Sequence, residues 1–127
     1  MDLNKFGAIL KFALEMEERV AEFYEAAEDA SPSPEREAAA QEARKNVSRL
    51  QGMRRELVNE MLLEPISGFD HPLPPPLPKA GADEEEIIRQ GERLRTFRRD
   101  FYRLASKKIE VVSPAVSRAF ARMAESS

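Results

Sequence analysis

The chain has 127 residues and no Cys, which leaves room for one domain with one core and excludes disulfides, thiolate metal sites and Cys nucleophiles. Twenty basic residues stand against 23 acidic ones, a net charge of -3, so no bulk field calls for nucleic acid. The opening MDLNKFGAIL has an early Asp and no long apolar run, and no window reaches the roughly 18 apolar residues of a membrane span; a cytoplasmic protein with no membrane partner is expected.

A first helix is predicted over about residues 3–29. Leu3, Phe6, Leu10, Ala13, Glu17, Val20, Tyr24 and Ala27 follow one another at alternating steps of three and four, a helical seam with a single misfit, Glu17. A carboxylate on a buried stripe costs several kcal/mol, roughly, unless something compensates it. A second apolar row, Ile9, Phe12, Met16, Phe23 and Ala26, widens the stripe to suit a bundle with two neighbours. Ser33-Pro34 reads as an N-cap and first helical residue, opening a second helix over about 34–63 with Ala39, Ala43, Val47, Leu50, Met53, Leu57 and Met61 inward. The short loop makes the first two helices an antiparallel hairpin.

Residues 64–82, EPISGFDHPLPPPLPKAGA, contain six prolines and are expected to be neither helix nor strand. In a polyproline form they reach ~60 Å, against ~45 Å for the second helix, so this linker can cross the full bundle length. Asp83 with Glu84, Glu85 and Glu86 then opens a third helix to about Val112, and Ser113-Pro114 opens a short fourth of about 12 residues.

The chain repeats. A shift of 78 places Ile9 on Ile87, Glu22 on Asp100, Phe23-Tyr24 on Phe101-Tyr102 and Ala27 on Ala105; a shift of 80 places Ser33-Pro34 on Ser113-Pro114. The expected architecture is all-α, a single domain over 1–127 made of two helical hairpins joined by a long proline-rich crossover, with a short fourth helix. The two ends are charged in opposite senses: residues 1–30 hold eight acidic and three basic side chains, residues 87–127 four acidic and ten basic.

The run ALEMEERVAEFYEAA, followed by a second helix with QEARKNVSRL, resembles the ferritin-like superfamily, and within it the rubrerythrin-type branch. The resemblance implies a four-helix bundle that holds two iron or manganese ions through a Glu from each of two helices and a Glu-x-x-His pair from each of the other two. Glu17, seven residues before Tyr24, matches the family's first metal Glu. The same step back from Tyr102 lands on Arg95; the second helix has Ala43 and Asn46 at the Glu-x-x-His positions, and the fourth has Met123 and Ser126. The only His, His71, is in the linker. One family ligand survives, so no metal or other cofactor is expected.

Glu17 is therefore expected to pair with Arg95, its counterpart in the repeat, which lies on the third helix's stripe Ile88, Gly91, Arg95, Arg98, Tyr102 and Ala105, as a buried ion pair in place of the metal centre. Tyr24 and Tyr102 are expected as core aromatics at the former site. The basic run Arg89, Arg93, Arg98, Arg99, Arg103, Lys107 and Lys108 reads as a solvated face or the mate of the acidic first helix rather than a phosphate-tracking surface. A fourth helix of about 12 residues leaves an apolar strip uncovered, from which a homodimer is expected. The functional expectation is a non-catalytic binding or structural module. The alternative is a rubrerythrin-like ferroxidase or peroxidase with an unusual or intersubunit iron or manganese site.

Overall fold

In the computed structural model of the chain, residues 3–56, 64–66, 69 and 83–126 are described. Among them the fold is all-α: α1 (Phe6–Ala30), α2 (Pro34–Glu56), α3 (Glu84–Ile109) and α4 (Pro114–Glu125). None of these helices is long and apolar enough to cross a membrane. α1 packs chiefly on α2 and α3 on α4, so the chain forms two hairpins that meet where α1 lies against α3.

The starts of α2, α3 and α4 are the ones written in the sequence, while α1 begins at Phe6 rather than near Leu3. Ser33 Oγ accepts from the Arg36 backbone N–H at 3.2 Å, Asp83 from Glu86 at 2.9 Å and Ser113 from Val116 at 3.3 Å, each satisfying a first-turn donor that has no partner within the helix. α3 closes at Ile109 rather than Val112, with residues 110–112 forming the turn into Ser113.

α1 has no side-chain cap, and a strand-like contact with the front of the proline-rich segment takes its place. Phe6 N–H donates to the Glu64 carbonyl and Ile66 N–H to the Asn4 carbonyl, placing Lys5 opposite Pro65 in an antiparallel bridge. This corrects the expectation that the prolines exclude pairing throughout 64–82. Lys5 and Pro65 form the pair whose own N–H groups are not used, so the donor that proline lacks is never needed. Leu57 and Met61, His71 and the part of the crossover from residue 70 to 82 lie outside the described residues.

The direction of α3 follows from its contacts. Its first turn meets the first turn of α2, where the buried Arg36 bonds the Glu84 carboxylate and, at 2.7 Å, the Ser31 carbonyl. Farther along, Phe101 lies over Phe12 with ring centroids 4.8 Å apart. α3 thus runs antiparallel to α1. α4 crosses it closely enough that Ser106 and Ser117 each donate a hydroxyl to the other's carbonyl, at 2.8 and 2.7 Å.

The core lies in two parts. At the end where α1 begins, Phe6, Phe12, Phe69, Phe101, Tyr102 and Phe120 are all buried. At the other end a smaller cluster gathers Val20, Ala21, Phe23, Ala27, Ala43, Ile87 and Leu94. The buried stripe of α3 is Ile87, Gly91, Leu94, Arg98, Phe101, Ala105 and Ile109 with Tyr102 beside it, while Arg95 is exposed and Ile88 is 53% exposed. The helix is therefore rotated by about one residue from the stripe through Ile88 and Arg95. Leu94 and Phe101 bury more apolar surface than a stripe through Arg95 would, and that sets the rotation.

Candidate functional site: the buried Glu17 centre

Glu17 lies in the middle of α1 between the two core clusters and is fully buried. Its carboxylate accepts hydrogen bonds from three side chains on two other helices. Arg98 Nε reaches Oε1 at 2.5 Å, the Tyr102 hydroxyl donates to the same oxygen at 2.9 Å, and Asn46 Nδ2 donates to Oε2 at 3.3 Å. The guanidinium carbon of Arg98 is 5.5 Å from the centre of the Tyr102 ring, adding a cation–π contact. On the far side of Asn46, Arg49 Nη1 donates to Oδ1 at 3.0 Å and lies 3.7 Å from Glu42. A polar chain thus runs inward from Glu42 and Arg49 at the surface to Glu17.

The orientation of Asn46 follows from its neighbours. A carboxylate on one side requires the amide nitrogen, and a guanidinium on the other requires the amide oxygen. A His ligand at this position would present a lone pair to a metal; Asn46 presents N–H to a carboxylate instead.

Electrostatics favour the charged form of Arg98 and the neutral form of Tyr102. Burial works against the Arg98 charge, but Glu17 beside it, with Tyr102 and Glu42, more than offsets this and raises the pKa above the usual arginine value. Burial first, and then the Glu17 carboxylate, push the Tyr102 phenol well above its ordinary range, so it stays a donor. The arrangement is built to hold one buried negative charge. Both carboxylate oxygens are engaged, and each partner donates to them.

The pairing with Arg95 does not form. Arg95 is exposed, and the guanidinium on Glu17 belongs to Arg98, one turn later. In an antiparallel α1–α3 contact residue numbers rise on one helix as they fall on the other: Phe12 meets Phe101 and Glu17 meets Arg98. The repeat relates positions by similarity, whereas contact relates them by approach, and the two rules select different arginines. Tyr102 is fully buried and donates to Glu17. Tyr24 is half-buried and stands over Gly91, where its hydroxyl would be 3.3 Å from an added Cβ.

The remaining positions that the family resemblance assigns to metal ligands carry poor donors. Ala43 and Met123 are buried and offer no oxygen or nitrogen, and the Ser126 hydroxyl donates to the Met123 carbonyl at 3.1 Å. Among the described residues no group of three or more His, Asp or Glu side chains converges where an ion could sit. With a guanidinium 2.5 Å from the Glu17 carboxylate, the donor set does not fit a pair of cations. Asn46 and Arg98 are the site residues that the sequence reading did not assign. Each was legible as a polar residue in line with a buried stripe. No family model matches this chain, and no curated protein or solved structure matches it.

Proposed function

We propose that the protein is a ferritin-like four-helix bundle whose di-metal centre has been replaced by a hydrogen-bonded ion pair, and that it acts as a non-catalytic binding or structural module. The observation that carries this reading is the Glu17 carboxylate, held by Arg98, Tyr102 and Asn46 at the depth where the family resemblance puts two cations. Asn46 stands at the position of a family His. The parallel course of α2 and α3, joined at their first turns by Arg36 and Glu84, supports a long crossover through residues 70–82.

Metal analysis of full-length protein purified from iron- and manganese-supplemented culture tests the proposal. Substoichiometric metal and no oxidation of added ferrous iron are expected. About two iron or manganese ions per chain would overturn the reading and favour a ferroxidase or peroxidase. The homodimer is a separate proposal. Leu104 near the end of α3 and Val111 in the turn after it, 38% and 95% exposed, supply apolar surface for it. Light scattering at micromolar concentration would then give twice the 14.4 kDa chain mass.

A further inference from the structure

α2 packs chiefly on α1 and α4 on α3, which leaves the side shared by α2 and α4 the least closed in the bundle. An opening of about 500 Å3 lies there, between Glu42, Arg49 and Met53 of α2 and Ala119 and Arg122 of α4. Both walls are helix. Arg49 and Arg122 are exposed and Met53 and Ala119 half-buried, so a ligand meets accessible side chain on either side.

The arginines of the bundle differ in how fully their donors are used. A guanidinium carries five N–H groups in a planar fork. Glu25 fills the fork of Arg44 with two hydrogen bonds, at 3.1 and 2.6 Å. Arg36 is held by Glu84 and the Ser31 carbonyl, and Arg98 by Glu17. Among the described residues, the Arg49 guanidinium donates only to Asn46 Oδ1, at 3.0 Å, and Glu42 stays 3.7 Å from it, beyond hydrogen-bond reach. The Arg122 guanidinium has no partner among them. Two guanidiniums with donors to spare thus line one opening from facing helices, with Glu42 as the single opposing charge.

We propose that this opening binds the phosphate group of a small organic monoester, held between Arg49 and Arg122. One guanidinium fork takes up both oxygens of a carboxylate, whereas a tetrahedral phosphate has oxygens for two forks at once. A phosphate monoester also carries a charge of about −1.5 to −2 near neutral pH, which calls for more than one cation. The opening is about 17 times the ~30 Å3 that a water molecule takes up in the liquid, so room remains for an organic body beside Met53 and Ala119. Because Arg49 also holds Asn46, binding is felt one hydrogen bond away from Glu17. The inference goes beyond the metal-free reading of Glu17 and does not depend on it.

Phenyl phosphate is the probe, titrated near neutral pH and at fixed ionic strength into the 15N-labelled full chain. Saturable shifts are expected at the Ala119 and Arg122 amides and at the Asn46 side-chain amide, and none at Glu25 or Arg44. Arg122→Gln is expected to weaken binding about tenfold or more, as loss of a charged hydrogen-bond partner predicts. Arg44→Gln should leave it unchanged. Glu42→Gln, which removes the opposing charge, should tighten it by about two- to fivefold, the size of a partly exposed charge contact. Arg44 and Arg122 are exposed and Glu42 is half-buried, so the variants fold, and an unchanged amide spectrum without ligand verifies it. Inorganic phosphate should shift the same signals with about fivefold lower affinity, for want of the ring's apolar contact. Equal affinity for inorganic phosphate would overturn the monoester in favour of free phosphate, and benzoate binding as tightly would overturn the phosphate. Shifts that do not saturate by roughly 10 mM, weaker than the millimolar range useful for a ligand this small, or equal affinity in Arg122→Gln, overturn the site itself. None of these outcomes alters the metal content that tests the preceding proposal.

Discussion

The two ends of the interior are built differently. Where α1 begins, six aromatic rings from α1, α3, α4 and residue 69 close the bundle; where α1 ends, Val20, Ala27, Ala43, Ile87 and Leu94 pack with smaller volume, and a cleft opens beside them. Glu17, Asn46 and Arg98 lie at the boundary between the two. Large side chains from four elements fill one end without help. At the other, small side chains such as Ala38, Ala39, Ala43 and Ser126 line the cleft. The polar layer separates a part of the fold that maximises buried area from a part that leaves room.

The largest expected effects come from breaking that layer. Glu17→Leu strands a buried guanidinium and Arg98→Leu a buried carboxylate, and each alone should cost about 3–5 kcal/mol in urea unfolding. The double variant should recover most of it, since an apolar pair removes both charges together. Additive losses would show that the two groups do not act as a unit. Next come the cores themselves: Phe101→Ala in the aromatic end should cost ~3–5 kcal/mol, and Leu94→Ala beside the cleft should fall near the lower limit of the ~2–5 kcal/mol range. Equal losses would mean that the cleft end is as tightly packed as the other.

The two mid-helix glycines offer a smaller test. The nearest atom to an added Cβ at Gly52 is the flexible end of Arg55, 3.9 Å away, so Gly52→Ala should stabilise by up to ~1 kcal/mol through helix propensity alone. Gly91→Ala should gain less, because its Cβ would press on the Tyr24 hydroxyl at 3.3 Å and Phe23 at 3.6 Å. A difference of zero between them would place Tyr24 free to move into the cleft.

The smallest expected effect is pH-dependent. The hydrogen bond from Arg36 lowers the Glu84 pKa, and that from Arg44 lowers the Glu25 pKa. A carboxyl held lower in the folded chain than in the unfolded one contributes stability that is fully present above the unfolded value of about 4.3 and is lost as pH falls through the folded value. Both groups are exposed, so the loss should be slight and should shrink further in salt. Arg36→Gln and Arg44→Gln should flatten the acid limb of a stability–pH curve, and a limb that does not change would assign acid sensitivity to other groups.

The starts of α2, α3 and α4, the hairpins and the buried place of Glu17 were readable from residue order, whereas the start of α1 at Phe6 follows from its pairing with residues 64–66. Caps and apolar periodicity are local properties, set by spacing along a single helix. Applied to the third helix, the same periodicity also shows Arg98: the row Ile87, Gly91, Leu94, Arg98, Phe101, Ala105 alternates steps of four and three with one charged misfit, as the first helix does with Glu17. Two misfits of opposite charge on two seams are each other's natural partners. What residue order left undecided was which row of α3 faces inward: Gly91, Arg98 and Ala105 belong to the rows through Ile87 and through Ile88 alike, and the choice decides whether Leu94 or Arg95 joins them. Only packing against α1 resolves it, because burying Leu94 and Phe101 is favourable by an amount that depends on the neighbour they meet. Likewise Asn46, which the resemblance places at a ligand position, becomes a donor to Glu17 only because α2 brings its amide to 3.3 Å from a carboxylate 29 positions earlier.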